Sequence, residues 1–215
     1  MNLYRKFGKR TLDIILSGGA LICLSPVLAG VTIWLHFANK GAGAFFFQLR
    51  PGKNARIFKI WKFKSMTDER DSEGKLLPDY KRITPIGRFI RSTSIDELPQ
   101  LWNILKGDMS IIGPRPLVPQ YLPFYTEEEA HRHDVRPGMT GMAQSHGRKS
   151  LNWDEKFAYD VEYVRNLSFA LDFDIFCRTV KSVIKRSDVN PESRGAINFD
   201  DWRRAQWEKG INLKK

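Results

Sequence analysis

The sequence predicts an α+β protein with an N-terminal re-entrant membrane helix, broken at a Ser-Pro pair, and a mostly helical cytoplasmic domain that contains a small β-hairpin. Three observations lead to this prediction. Residues 14–35 carry no charged side chain, Phe- and Ile-rich segments flank a turn at Pro51-Gly52, and patterns typical of helices follow from residue 84 onward. With 215 residues, 42% hydrophobic and 27% charged, the chain is long enough for one sizeable domain and an anchor.

The apolar run at 14–35 is about 22 residues long, enough to span a hydrocarbon core of about 30 Å as a helix. Basic residues flank it on both sides, and the positive-inside rule favours keeping both flanks in the cytoplasm. They are Arg5, Lys6, Lys9 and Arg10 before the run, and Lys40, Arg50, Lys53 and Arg56 after it. Both flanks stay inside only if the helix enters and leaves on the same side. An ordinary kinked span and a cleaved signal peptide are the alternatives.

The pair Ser25-Pro26 lies near the middle of this run. Proline lacks a backbone donor and clashes with the carbonyl four residues earlier, so it bends a helix. The Ser25 hydroxyl can donate a hydrogen bond to a carbonyl that the bend frees. We therefore predict a helix-break-helix at Ser25-Pro26 that dips into one leaflet of the membrane.

The sequence divides into three parts: a re-entrant helix with its basic flank at 1–40, a candidate catalytic domain at the membrane surface at 41–189, and a C-terminal tail at 190–215. Turn and helix-boundary residues predict the local structure of the second part. It consists of two strands around 51–54, an exposed loop at 67–82, a short helix after Thr84, a helix from Pro99 to Gly107, a stiff proline-rich loop, and two helices that meet at 167–170.

The formal net charge of +11 implies an acidic partner, which could be nucleic acid, anionic lipid or a phosphorylated substrate. Cys23 and Cys177 are too few for a disulfide framework, and we predict that both are packed thiols of a protein in a reducing compartment. The sequence has no Cys and His spacing that indicates zinc and no glycine-rich nucleotide-binding motif, so it gives no support to dinucleotide or ATP binding.

The segment "STSIDELPQ" contains two adjacent acids, Asp96 and Glu97. Ser94 and Glu97 have the S-x-x-E spacing of a capping box, which would give the acids a purely structural role. However, Pro99 has no backbone N–H, so a helix that begins at Ile95 would lack a donor, and a start at Pro99 fits better. The two carboxylates then lie just before the helix, where they can hold Mg²⁺ or attack phosphorus.

Several cations are placed where they can either bind phosphate or simply face solvent. Arg115 stands between two prolines that hold the backbone extended, which suits bidentate phosphate recognition. Lys62 and Lys64 share one face of a strand and can meet a diphosphate or lipid headgroups. Arg136 and Arg148 bracket a loop whose glycines permit close approach of a ligand. These glycines are Gly138, Gly141 and Gly147.

Five segments of the chain, together spanning about residues 5–187, resemble the monotopic phosphoglycosyl transferases, the bacterial sugar transferase family. The segments are "KRTLDIILSG", followed by the central Ser25-Pro26, then "FKIWKFKSM", "TPIGRFIRSTSIDELPQLWNILKGDMSIIGPRPL", "RPGMTGMAQSHGR" and "YDVEYVRNLSFALDFDI". Nothing in the chain resembles the multi-span N-terminal region of the larger members, so we expect a small, minimal form.

The resemblance implies a reaction and a location. The family transfers a sugar-1-phosphate from a nucleotide sugar, usually a UDP-sugar, to polyprenyl (undecaprenyl) phosphate and releases UMP. It uses Mg²⁺ and a covalent aspartyl-phosphosugar intermediate. We therefore expect a transferase on the cytoplasmic face of the bacterial inner membrane, at the first membrane step of surface glycan or glycoprotein assembly, such as capsule or lipopolysaccharide biosynthesis.

The resemblance also implies residue roles. Asp96 matches the nucleophile and, with Glu97, the metal-binding acids, and Arg115 matches a phosphate binder. The residues that match positions near the nucleotide are Lys62, Arg136 and Arg148. Less specific matches are Arg91, just before the acids, and the supporting acids Asp160 and Asp172. The family's Ser-Pro breaks its membrane helix. Two positions depart from the family pattern: Lys64 stands where Arg is common, and Ser145-His146 is unusual.

The partners expected from the resemblance are a UDP-sugar, polyprenyl phosphate and membrane lipids. Nucleic acid is not expected, because the apolar run argues against a nucleic-acid binder. A non-catalytic, basic scaffold on the membrane surface of a glycan pathway is the alternative function. The sequence leaves open which sugar is transferred and whether the protein forms a homo-oligomer.

Overall fold

The computed structural model describes residues 3–147, 151–185, 198–209 and 211. A short π-helical turn, Tyr4–Gly8, precedes the first α-helix. The α-helices of the described chain are α1 (Lys9–Ala38), α2 (Asp79–Arg82), α3 (Pro85–Ser92), α4 (Gln100–Lys106), α5 (Glu127–Ala130), α6 (Met142–Ser145), α7 (Trp153–Asn166), α8 (Phe169–Lys185) and α9 (Phe199–Glu208). The strands are β1 (Phe45–Pro51), β2 (Ile57–Phe63), β3 (Ser110–Ile112) and β4 (Gly138–Thr140). The predicted mixture of helices with a small hairpin is therefore confirmed.

Strands β1 and β2 form the predicted antiparallel hairpin, in register from Phe45 opposite Phe63 to Pro51 opposite Ile57. Its turn contains two residues with positive φ, Asn54 and Ala55, so the chain reverses tightly there. Because side chains alternate along a strand, Lys62 lies on the same face of β2 as the buried Ile60, and Phe63 is buried on the opposite face. From that position Lys62 reaches Glu97.

Strands β3 and β4 form a second, parallel pair that the sequence did not predict. A Cβ atom at Gly138 would lie 2.1 Å from the Gly113 backbone N, and one at Gly141 would lie 2.2 Å from the Gly113 carbonyl O. The glycines that we expected to admit a ligand therefore admit another stretch of backbone. This close contact anchors the proline-rich loop that carries Arg115.

Helix α1 is helical from Lys9 to Ala38 and includes Pro26, so the predicted change of direction at Ser25-Pro26 stays a prediction. Pro26 cannot donate to the Ile22 carbonyl, but the Ser25 hydroxyl donates to that same oxygen at 2.8 Å. The predicted role of Ser25 is thus confirmed, and it explains how the helix continues past the proline.

Both halves of α1 pack against the same domain. The first half contacts a cluster around Leu101 and Ile104 of α4, and the second half contacts Phe63 and Ile90. Many other α1 side chains are exposed and apolar. By length and composition, Tyr4–Ala38 is apolar enough to cross a membrane, and an 18-residue window within it has a mean hydropathy of 2.2.

The C-terminal part of the described chain docks on the domain. Phe199 of α9 is fully buried in an aromatic cluster, and Arg203 of α9 forms a buried ion pair with Glu129 of α5. Part of the segment that we assigned to a tail is therefore packed. By contrast, Cys23 and Cys177 are exposed, on α1 and α8, so the prediction of packed thiols is wrong.

Candidate active site

The two adjacent acids are presented by a tight turn between α3 and α4. Ser94 adopts a left-handed conformation with φ 58° and ψ 15°, which reverses the chain after α3. The acids lie in the following 3₁₀ turn, Ile95–Glu97, and α4 begins at Gln100 after Pro99. The Ser94 side chain makes no capping hydrogen bond, so the capping box is not formed and the predicted helix start at Pro99 is confirmed.

Glu97 joins three distant parts of the chain. One of its oxygens, Oε1, accepts hydrogen bonds from Lys62 Nζ at 2.7 Å and from Arg115 Nη2 at 2.8 Å. Burial alone would raise the pKa of Glu97, but the charges and hydrogen bonds of Arg115 and Lys62 outweigh burial and hold that pKa well below its usual range. Glu97 is therefore a stable carboxylate between two cations.

Asp96 has a different environment from its neighbour. Within the described chain, its carboxylate has no hydrogen bond or ion pair. Burial and, secondly, the negative charge of Glu97 raise the pKa of Asp96, and the charges of Lys62, Arg91 and Arg115 oppose this rise. An uncommitted carboxylate surrounded by cations is suited to attack an anionic phosphorus centre.

Arg132 supports the site, and the sequence analysis did not identify it. Its Nη2 donates to the Arg115 carbonyl at 2.8 Å and to Asp160 Oδ2 at 2.7 Å. Both members of this ion pair are almost fully buried. Arg132 therefore holds the loop of Arg115 in place, and Asp160 acts by positioning it. No spacing rule marks Arg132, because its partners are far away in the sequence.

Asn103 is a second supporting residue that the sequence analysis missed. Its Oδ1 accepts from the Trp61 backbone N at 3.0 Å, and its Nδ2 donates to the Lys59 carbonyl at 2.8 Å. The buried amide thus fixes β2, and with it Lys62, against the helix that follows the acids. Asp172 has an anchoring role elsewhere: its carboxylate accepts from Tyr4, Lys9 and Tyr163.

The structure does not place every predicted residue at the acids. Arg136 Nε donates to the Gly107 carbonyl at 2.8 Å, at the C-terminal end of α4, whereas the acids precede its N-terminal end. Lys64 donates to Asp68 and to the Ala42 carbonyl instead of sharing a site with Lys62. Arg148 lies outside the described residues. The residues that come together are Lys62, Arg91, Asp96, Glu97 and Arg115.

Residues 4–186 match the family model described as bacterial sugar transferase. The chain belongs to the bacterial sugar transferase family. This confirms the resemblance drawn from the sequence motifs. The matched residues include every part of the cluster around Asp96 and Glu97.

This bacterial sugar transferase is similar in sequence to the following three relatives. It is 53% identical over 164 residues to the uncharacterized sugar transferase EpsL of Bacillus subtilis (strain 168), across 76% of this chain and 81% of that protein. It is 37% identical over 198 residues to undecaprenyl-phosphate galactose phosphotransferase of Salmonella typhimurium. It is 38% identical over 191 residues to UDP-glucose:undecaprenyl-phosphate glucose-1-phosphate transferase of Klebsiella pneumoniae.

These matches differ in how much of each relative they span. The match to the Salmonella protein covers 84% of this chain and 41% of that protein, and the match to the Klebsiella protein covers 83% and 41%. The chain therefore spans less than half the length of these two relatives and about four fifths of EpsL.

Asp96 and Glu97 offer carboxylate oxygens of the kind that Mg²⁺ binds. Among the described residues, no group of three or more His, Cys, Asp or Glu side chains could hold a metal. Glu97 uses Oε1 for its two cations, and in the same part of the chain its other oxygen and both Asp96 oxygens have no protein partner. Mg²⁺ commonly binds one or two carboxylates together with substrate phosphate and water, which matches this donor set.

A cavity of about 250 Å³ opens beside Arg115, on the side of Trp153 and Phe157. Lys156 lies over the Trp153 ring, with Nζ 4.5 Å from the ring centroid. We call this space the aromatic cavity. It combines flat apolar walls with the cations Arg115 and Lys156, a combination that suits a molecule with both a ring system and a phosphate.

Proposed function

We propose that this bacterial sugar transferase moves a sugar-1-phosphate from a UDP-sugar to polyprenyl (undecaprenyl) phosphate and releases UMP. The observation that carries the proposal is the uncommitted Asp96 carboxylate beside Glu97, Lys62 and Arg115. The names of the Salmonella and Klebsiella relatives, which contain undecaprenyl phosphate, support this acceptor, and the Klebsiella name supports a UDP-sugar donor.

In the first half of the proposed reaction, an Asp96 oxygen attacks the β-phosphorus of the UDP-sugar. A bond forms between that oxygen and phosphorus, and the bond to the bridging oxygen breaks. UMP leaves with the electron pair, and the sugar phosphate remains esterified to Asp96. Lys62 and Arg115 offset the negative charge on the phosphoryl oxygens, and Glu97 holds these two cations in place.

In the second half, a phosphate oxygen of polyprenyl phosphate attacks the same phosphorus, and the Asp96 carboxylate leaves. The covalent step means that the two anionic substrates need not occupy the site together. Asp96 and Glu97 would hold Mg²⁺, which when bound supplies charge neutralisation to the diphosphate. We assign the nucleotide sugar to the aromatic cavity, because it opens beside Arg115 and offers aromatic walls to a ring.

We also propose that α1 is re-entrant and keeps the domain on the cytoplasmic face of the inner membrane. Basic residues at both ends of the apolar run and the packing of both α1 halves on one domain support this topology. Cysteines introduced at each end of α1 should react with an impermeant thiol reagent only from the cytoplasmic side. Labelling of the N-terminal end from the periplasm would contradict re-entry.

The chemical proposal is tested by rapid-quench mass spectrometry of the protein mixed with UDP-sugars and Mg²⁺ in the absence of acceptor. We expect a sugar-phosphate adduct on Asp96 and a matching amount of UMP. The Asp96→Asn variant should stay at the membrane and lose both. A scaffold would keep its activity in the pathway when Asp96 is replaced, and an adduct that never forms in the wild type, over a full screen of UDP-sugars, would refute the proposal.

A further inference from the structure

We propose that the polyprenyl chain of the acceptor lies in an apolar groove that runs from the catalytic acids, between β3 and α8, to helix α1. The inference rests on the proposed function, because it assigns the binding site of that reaction's lipid substrate. The groove consists of two cavities that share the side chains of Ile111 and Phe176. We call the two cavities together the acceptor groove.

The first cavity of the acceptor groove begins at the acids. Ser94 and Glu97 line one side of it, and its other walls come from β3, from β4 with the adjoining α6, and from the second half of α8. Its volume is about 220 Å³. The apolar side chains that line it are Ile111, Met139, Phe176 and Val183. The polar residues Thr140, Gln144, Thr179 and Ser182 also line the cavity, and the four apolar side chains offer an apolar path to a chain that leaves the acids.

The second cavity continues the groove toward the membrane helix and has a volume of about 230 Å³. The charged groups that reach it are already bound to protein: Lys9 Nζ lies 2.7 Å from Asp172 Oδ2, and Asp13 accepts from the Ile111 backbone N at 3.0 Å. The remaining surface suits an apolar chain and not a phosphate. Its apolar walls are Leu12, Leu16, Ile111, Ile112, Phe169 and Phe173.

Helix α8 presents a stripe of large apolar side chains along this groove. Phe169, Phe173 and Phe176 are spaced by four and three residues, so they share one helix face. They are 55%, 59% and 47% exposed, so the described part of the protein leaves about half of each ring uncovered. Between Phe169 and Phe176 the helix rises about 10 Å, which gives the groove distinct near and far ends.

One end of the acceptor groove is cationic and the other is apolar, which matches the phosphate and the hydrocarbon chain of polyprenyl phosphate. At the head end, Lys62, Arg91 and Arg115 surround the acids and can neutralise a phosphate. At the far end, the groove opens beside α1, which is long and apolar enough to cross a membrane. A phosphate joined to a long apolar chain matches both ends at once and delivers its phosphate to Asp96. A nucleotide sugar has no apolar segment for the second cavity.

Alanine substitutions of one side chain near the acids and one at the far end of the acceptor groove test whether it binds the polyprenyl chain. We expect Phe176→Ala, near the acids, to raise the apparent KM for both undecaprenyl phosphate and geranyl phosphate about tenfold, equivalent to about 1.4 kcal/mol. Phe169→Ala, at the far end, should raise the KM for undecaprenyl phosphate alone, because the short geranyl chain ends before reaching it. Phe37→Ala is the matched control: Phe37 is 77% exposed on α1, lines neither cavity, and should leave both KM values unchanged.

Each variant is also mixed with the UDP-sugar alone, because adduct formation on Asp96 does not involve the acceptor. Equal KM changes in Phe37→Ala and Phe169→Ala would show that these rings only contact bulk lipid and would overturn the groove. So would unchanged KM values in Phe176→Ala and Phe169→Ala when adduct formation is normal. Absence of the adduct in the wild type would instead refute the proposed function, so the two failures are distinguishable.

Discussion

Neutralising each of the two adjacent acids should change stability in opposite directions, although both substitutions remove catalysis. In the wild type, Glu97 Oε1 accepts hydrogen bonds from Lys62 at 2.7 Å and from Arg115 at 2.8 Å. Glu97→Gln leaves these two cations beside an uncharged amide. Asp96→Asn removes a charge that burial and Glu97 disfavour. Glu97→Gln therefore removes an attraction to two cations that stabilises the folded state. Asp96→Asn removes a buried charge, and its repulsion from Glu97, that destabilises the folded state.

The signs follow from the pKa shifts. Folding lowers the pKa of Glu97, so its ionisation contributes stability at pH values above its unfolded pKa, and this contribution is lost as the pH falls. Folding raises the pKa of Asp96, so its ionisation reduces stability as the pH rises through the unfolded value. At neutral pH the contribution of Glu97 is fully present, and the ionisation of Asp96 acts in the opposite direction.

The magnitude for Glu97→Gln follows from how exposed the three side chains are. Breaking a fully buried ion pair destabilises a protein by about 3–5 kcal/mol, and an exposed pair contributes less than about 1 kcal/mol. The side chains of Glu97, Lys62 and Arg115 are 11%, 21% and 38% exposed, so the cluster lies between these limits. We expect a loss of about 2–4 kcal/mol for Glu97→Gln and a gain of up to about 1 kcal/mol for Asp96→Asn.

The assay is denaturant unfolding of the protein in detergent micelles at neutral pH, followed by tryptophan fluorescence, with UMP release measured in parallel. Glu128→Gln is the matched control, because Glu128 pairs with Arg165 at an exposed position and should change stability by less than about 1 kcal/mol. Equal losses of stability in Asp96→Asn and Glu97→Gln would refute the argument. So would a Glu97→Gln variant as stable as the wild type.

Three further predictions concern parts of the fold outside the acids. Burial lowers the pKa of His133 from 6.5 to about 4, so wild-type stability should fall by up to about 3 kcal/mol as the pH drops through that range; His133→Phe should lose this dependence, and the exposed His131→Phe should keep it. Arg203→Met should lower the thermal midpoint by an amount equivalent to about 3–5 kcal/mol, because it leaves a buried carboxylate unpaired. Gly138→Ala should reduce both UMP release and the midpoint, since its Cβ would lie 2.1 Å from a backbone nitrogen, whereas Gly19→Ala meets no atom within 4 Å and should preserve both.

Local signals in the sequence predicted the structure most successfully where a few neighbouring residues restrict the backbone. The Pro51-Gly52 turn, the start of α3 at Pro85, and the start of α4 after Pro99 all depend on dihedral angles and donors within one turn of chain. At Pro26 a neighbouring residue again matters, because the described helix is continuous there. The Ser25 hydroxyl replaces the missing donor, and the helix continues.

Predictions that needed a three-dimensional neighbour were less successful. Arg136 has the spacing of a loop cation, but its side chain donates to the carbonyl of Gly107, the residue directly after α4. Cys23 and Cys177 are apolar enough to be core residues, yet the faces of α1 and α8 that carry them point outward. Composition does not reveal which face of an apolar helix the rest of the chain will cover.

The sequence by itself determined the β1–β2 hairpin, the apolar helix and the pair of acids that precede α4, because these depend on residues close together in the chain. Only the tertiary structure decided that the two acids differ. Glu97 meets Lys62 and Arg115, which are 35 and 18 residues away, whereas Asp96 keeps its carboxylate uncommitted within the described chain. Electrostatic environment depends on distance in space, and the separation of two residues along the chain does not set that distance.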